Sequence, residues 1–111
     1  MENLYSCDRS LELVVEGAIG NGHSGYIKVI RPGRVSAKEK LKSSLGLAGP
    51  LVDTAVVVLA NVNPRNAKEA TLTVDLFQLE AGARVRQKSF TETRPTDGTK
   101  EITLRMRVDL F

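Results

Sequence analysis

Cysteine occurs once, at position 7, tryptophan is missing, and aromatic residues make up only 5% of the 111-residue chain. A single thiol excludes an intramolecular disulfide, and with it the small secreted scaffolds that depend on such cross-links. Cytoplasm or nucleus is the expected compartment, with export of a cysteine-poor domain as the other option. The one histidine, His23, lies far from Cys7 in sequence and offers no metal-ligand spacing. Runs of about 18–20 apolar residues, the length that spans a bilayer, are also missing. The N-terminus lacks a basic stretch followed by an apolar one, so neither a membrane span nor a signal peptide is expected. Charge is nearly balanced, 16 Lys and Arg against 13 Asp and Glu, for a net +3. That excess allows weak attraction to anionic partners and is far from that of a strongly basic tail.

What the chain does have is alternation. Residues 102–110 set Ile102, Leu104, Met106, Val108 and Leu110 against Thr103, Arg105, Arg107 and Asp109. A period of two marks a strand with one buried and one wet face. Leu11, Leu13 and Val15 alternate with Glu12, Val14 and Glu16, and Tyr26 to Ile30 is β-branched and aromatic, so a hairpin pairing 11–17 with 26–31 is expected. Residues 54–62 are apolar on both sides, as in a central strand covered on two faces. In 69–79, Leu72, Val74 and Leu76 oppose Thr71, Thr73, Asp75 and Phe77; Glu80-Ala81-Gly82 then turns the chain into 83–92, and Pro95-Thr96-Asp97-Gly98 into 99–110. Ser36-Ala37-Lys38-Glu39 fits a capping box, Ala37, Leu41 and Leu45 form an apolar stripe, and Gly46 can end a helix. These features predict a short helix at about 37–45.

Six to seven strands around one aliphatic core make the expected fold mainly β, an antiparallel β-sandwich forming a single domain over 1–111. The succession of turns at Asn63-Pro64-Arg65-Asn66, Glu80-Ala81-Gly82 and Pro95-Thr96-Asp97-Gly98 resembles the rhythm of immunoglobulin-like domains. The Cys…Trp…Cys pattern of antibody-type domains is absent, so the resemblance implies an architecture and carries over no functional residue.

Candidate sites follow from register. With Leu79 opposite Arg84 and Thr93 opposite Lys100, the residues Arg84, Arg86, Lys88, Arg105 and Arg107 share one sheet face, with Phe77 and Phe90 interleaved. Val85 then faces Val108, Thr91 faces Ile102, and Asp75 meets Lys88 as an ion pair. Lys88 opposite Arg105, and Arg86 opposite Arg107, would cost stability unless something anionic lay over them. A second basic group, Arg31, Arg34, Lys38, Lys40 and Lys42, surrounds the expected strand–helix junction. Together with the rings as stacking platforms, these residues suit nucleic acid. Strand 99–110 alternates regularly and lacks proline, so as an edge it would pair with a second chain along Met106, Val108 and Leu110.

Gly20-Asn21-Gly22-His23-Ser24-Gly25 matches G-x-G-x-x-G, but a strand rather than a phosphate-binding helix follows, so a hairpin loop is expected, with His23 solvated. Ser24 lacks the G-x-S-x-G setting of a nucleophile. No catalytic residue, metal site or cofactor is expected. The first functional expectation is a non-enzymatic structural or interaction module, a homo-oligomer or a partner of another protein, docking through sheet edges or its basic face. The alternative is a nucleic-acid-binding module using the basic residues of 83–110 and of the helix, Lys38 and Lys42.

Overall fold

The computed structural model describes residues 3–20, 24–31, 34–35, 42–63, 69–97 and 100–111. Among these, nine strands run in the order β1 (Leu4–Tyr5), β2 (Glu12–Ile19), β3 (Ser24–Arg31), β4 (Arg34–Val35), β5 (Lys42–Leu47), β6 (Ala55–Asn63), β7 (Glu69–Glu80), β8 (Ala83–Pro95) and β9 (Ile102–Leu110). They form two sheets packed as a β-sandwich. One has the order β1-β9-β6-β3-β4 and the other β5-β2-β7-β8. The mainly β expectation holds. Among the described residues no helix is long and apolar enough to cross a membrane.

The core follows from alternation. Leu13 and Val15 of β2, Val56, Val58, Ala60 and Val62 of β6, Leu72, Val74 and Leu76 of β7, and Leu104, Met106, Val108 and Leu110 of β9 are all at most 2% exposed. Each large side chain so buried contributes on the order of 1.5–3 kcal/mol. On β6 the intervening residues Val57, Leu59 and Asn61 are only half buried. This central strand is therefore covered fully on one face, not two.

Connectivity departs from the hairpins expected. β2 pairs with β5 and β7, whereas β3 pairs with β4 and β6 in the other sheet. The chain crosses between layers after β2, where the Gly20 N–H bonds to the Thr71 carbonyl at 2.8 Å and ties off β2 against β7. β8 and β9 likewise belong to different sheets, so the pairings Thr93–Lys100, Lys88–Arg105, Arg86–Arg107, Val85–Val108 and Thr91–Ile102 do not form. Alternation specifies which side of a strand faces inward, and a strand crossing to the opposite sheet satisfies it as well as one returning in a hairpin.

Residues 42–45 are strand, not the end of a helix; Ala37 to Leu41 lie outside the described residues. β5 fills the edge of β2 with Val15 opposite Ser43 and Glu16 opposite Lys42, and sends Leu45 into the core. Gly46 does adopt the positive φ its position suggested, +78°, but at an irregularity of the β2–β5 ladder. The helical element is instead a 3-10 turn at Gly49–Leu51, opened by Pro50.

The turn between β7 and β8 is read correctly. Glu80 faces Ala83 across Ala81 and Gly82, whose φ values of 49° and 82° are those of a two-residue hairpin turn of the type that matches strand twist. Leu79 faces Arg84 as expected. Beyond that point a bulge intervenes: Gln78 faces Val85 and Leu76 faces Lys88, so Arg86 and Gln87 together oppose Phe77. Arg86 sits at φ 55°, in the left-handed region. The extra residue moves Asp75 off Lys88 and onto Ser89, whose hydroxyl donates to the Asp75 carboxylate.

Candidate protein-docking edge

The basic residues expected on one face occupy three separate surfaces. Arg84, Lys42 and Phe77 meet on the outer face of the four-stranded sheet. The Arg84 guanidinium lies 4.2 Å from the centroid of the Phe77 ring and 3.3 Å from a Glu16 carboxylate oxygen, and the Lys42 ammonium lies 5.9 Å from the same ring. Phe77 is fully buried beneath them. A ring covered by an arginine and a lysine is closed to a stacking base. Phe90 is buried on the inner side of β8, with the Lys88 ammonium 5.3 Å from its ring.

Arg86 and Lys88 lie at the open side of the sandwich, where they hold the N-terminal segment. The Arg86 guanidinium donates to the Ser6 carbonyl at 3.1 Å and to its hydroxyl at 3.2 Å, and the Lys88 ammonium to the Leu4 carbonyl at 2.9 Å. The Tyr5 hydroxyl donates back to the Arg86 carbonyl at 2.7 Å, fixing the bulge. Burial pushes this hydroxyl up to about 12, with Cys7 acting in the same direction and Arg86 against it. Burial also raises the Cys7 thiol, again against Arg86, while hydrogen bonds from Ser10 hold the Asp8 carboxyl below its usual range. A shallow cavity of about 520 Å³ lies here, between Leu4, Arg86, Lys88 and Phe111.

Arg105 and Arg107 are on the outer face of the five-stranded sheet. Arg107 pairs with Asp109 at 3.1 Å. One row across that face reads Lys28, Leu59, Arg105, and the next is a hydrogen-bonded line in which Thr103 donates to Asn61 and Asn61 to the Tyr26 hydroxyl. Arg31 donates to the Leu45 carbonyl at 2.5 Å, bridging the sheets. Lys38, Lys40 and His23 lie outside the described residues, as does the side chain of Arg34. Gly25 belongs to β3, where an added Cβ would lie 2.0 Å from the Asn61 carbonyl oxygen; its glycine is a requirement of strand packing.

Met106, Val108 and Leu110 were expected at a pairing edge. Their side chains fill the core, and β9 is flanked by β6 on one side and at its end by β1, with Leu4 opposite Asp109 and Tyr5 opposite Leu110. Further along that edge two carbonyls accept from side chains: Arg94 donates to that of Thr103 at 2.9 Å and Asn3 to that of Arg107 at 3.2 Å.

β8 is an edge strand, and among the described residues its outer side is open. Because the Thr71 carbonyl is turned toward β2, the pairs Thr71–Thr93, Thr73–Thr91 and Asp75–Ser89 are the non-hydrogen-bonded pairs of the β7–β8 ladder. The 3.1 Å approach of the Thr71 and Thr93 hydroxyls fits such a pair. The N–H and C=O groups of Ser89, Thr91 and Thr93 therefore point away from β7, and among the described residues no backbone group meets them. From Lys88 to Pro95 this edge is regular, free of glycine, and exposed except at Phe90.

No known protein family, curated protein or solved structure matches the chain.

Ser89, Thr91 and Thr93 escape a reading based on charge and hydrophobicity. A signal was present nonetheless. After Val85, Phe90 is the one large apolar residue up to Pro95, while Lys88, Glu92 and Arg94 share its side of the strand. So little apolar content on the inward side is the composition of an edge.

Proposed function

We propose that the chain is a non-enzymatic interaction module that docks a partner strand along the open edge of β8. The observation behind this reading is the row of outward backbone groups at Ser89, Thr91 and Thr93, which no backbone group among the described residues meets, along a regular strand. An added strand would gain main-chain hydrogen bonds there, and the alternating side chains on either face would select it. Two features moderate the edge: the bulge at Arg86 ends it on one side, and Lys88, Glu92 and Arg94 carry charge along its inward face. Both devices discourage indiscriminate strand addition and leave room for a partner with matching charges.

Photo-cross-linking in the expressing cell tests this. A photoreactive residue replacing Thr93 is expected to give discrete adducts, and one replacing Arg105, on the opposite sheet, to give none. Adducts confined to position 105 would overturn the reading.

Nucleic acid has less support, because the cations are dispersed and both phenylalanine rings are buried. What favours it is the row of Lys28, Leu59 and Arg105, next to Arg107. Binding of single-stranded DNA that falls steeply with salt, and is lost in the double variant Arg105→Glu/Arg107→Glu, would be its signature.

A further inference from the structure

We infer that the strand docked on β8 is β8 of a second copy, antiparallel about a two-fold axis passing beside Phe90. This rests on the edge-docking reading above and adds the partner and the register.

A two-fold across an antiparallel edge sets residue i opposite residue j of the other copy, with i plus j constant, and outward backbone groups must meet outward backbone groups. Ser89, Thr91 and Thr93 are the outward residues, which reduces the choice to a few registers. Centred on Phe90, Ser89 meets Thr91 of the second copy in two hydrogen-bonded pairs. Lys88 then meets Glu92 of the second copy, twice by symmetry, at the close non-hydrogen-bonded positions where side-chain interactions are strongest. Centred on Thr91, the ladder is longer, but Lys88 meets Arg94 of the second copy on both sides. Centred on Glu92, two carboxylates face each other. Centred on Ser89, the ladder runs into the bulge at Arg86 and Gln87; centred on Thr93, it sets Thr91 against Pro95, which has no N–H to give. The Thr93 register also joins opposite charges, Glu92 with Arg94, but against Pro95; the Phe90 register joins them while its hydrogen-bonded pairs, Ser89 with Thr91, lie clear of both the bulge and the proline.

Lys88 and Glu92 lie on the same side of β8 as Phe90, at either flank of it. The Lys88 ammonium is spread over the Leu4 carbonyl and the Phe90 ring, and one of its three N–H donors suffices for that carbonyl. It keeps donors for a carboxylate arriving across the axis. Joining two copies in this way would make one continuous eight-stranded sheet from two of four strands.

Sedimentation equilibrium of the full chain over a wide concentration range tests the register. The wild type is expected to dimerise. Lys88→Glu and Glu92→Lys each turn two attractive contacts into repulsive ones and are expected to weaken the dimer roughly tenfold or more. The double variant K88E/E92K restores the contacts in reverse and is expected to regain most of the affinity. It has the same loss of the Lys88–Leu4 bond as K88E, so its recovery separates pairing from damage within one copy. Thr91→Pro, which removes an outward N–H, is expected to be monomeric while Lys88 and Glu92 stay intact.

A wild type monomeric at every concentration, a double variant no tighter than the single ones, or a K88E variant that associates more tightly, as the Thr91-centred register requires, would each overturn the inference. Cross-links from position 93 to a protein of different mass, with a monomeric wild type, would overturn self-pairing and leave edge docking standing.

Discussion

β7 and β8 are joined by a two-residue turn, run side by side, and have nearly the same length, yet they behave as opposites. In β7 the residues Ala70, Leu72, Val74, Leu76, Phe77 and Gln78 are fully or almost fully buried, whereas in β8 only Phe90 is. β7 alternates in burial and β8 does not, yet both were legible as strands. The difference is position: among the described residues β7 has β2 on one side and β8 on the other, while β8 has a neighbouring strand on one side only. A strand in the middle of a sheet packs into the core along its length. A strand at the edge can overhang it, and then its inward positions accept lysine, glutamate and arginine.

The largest test of this contrast compares a side-chain truncation on each strand. Leu72→Ala on β7 is expected to cost about 3 kcal/mol in urea unfolding, through lost burial and an incompletely filled cavity. Thr91→Ala on β8 should cost less than about 1 kcal/mol. Equal costs would mean that β8 is covered in solution.

Gln78 sharpens the contrast at the end of β7. Its side chain accepts from the Asp8 N–H at 2.8 Å and donates to the Asp8 and Leu11 carbonyls, with no exposure to solvent. Gln78→Leu leaves three backbone groups without their partner and is expected to cost about 2 kcal/mol, with faster hydrogen exchange in residues 8–11.

Tyr5→Phe tests the bulge on β8. Loss of the hydrogen bond to the Arg86 carbonyl is expected to cost about 1 kcal/mol. The variant also changes the alkaline limb of stability. Folding raises the Tyr5 hydroxyl from 10.0 to about 12, so its contribution is fully present below pH 10 and is lost as pH rises from 10 through 12. The decline in that window should be shallower for Tyr5→Phe than for wild type when followed by urea unfolding at each pH.

The smallest effect concerns the turn that the two strands share. Ala81 holds a left-handed φ of 49° that asparagine adopts more readily. Ala81→Asn is expected to raise stability by about 0.5 kcal/mol.

The sandwich, the single aliphatic core, the inward side of β7 and β9 and the turn at Ala81-Gly82 were all legible, because each depends on local periodicity or on the φ preference of one or two residues. Strand partners were not. Nothing near Gly20 or Thr96 distinguishes a reversal within a sheet from a passage to the other one, since both bury Leu13, Val15 and Ile102 to Leu110 equally well. The bulge was hidden because Arg86 is not a glycine; its left-handed backbone is held by a hydroxyl from residue 5, a contact across the whole chain. That single extra residue misplaced Lys88 by one position, and the crossing after β8 separated Arg105 and Arg107 from the other cations. The helix failed for a different reason. Leu45 fits an apolar stripe of period four and also an inward position of a strand, and an open edge on β2 was there to receive it.

The short parallel ladder joining Leu4 and Tyr5 to Asp109 and Leu110 has a consequence for synthesis on the ribosome. The five-stranded sheet cannot close until residue 110 has left the exit tunnel, because β6 and β1 both pair with β9. The β7–β8 hairpin, by contrast, is local and can form as soon as residue 95 emerges. Contacts this distant in sequence make folding slow, in the range of milliseconds to seconds. During that interval the nascent chain holds a finished hairpin whose β8 edge is exposed to other chains.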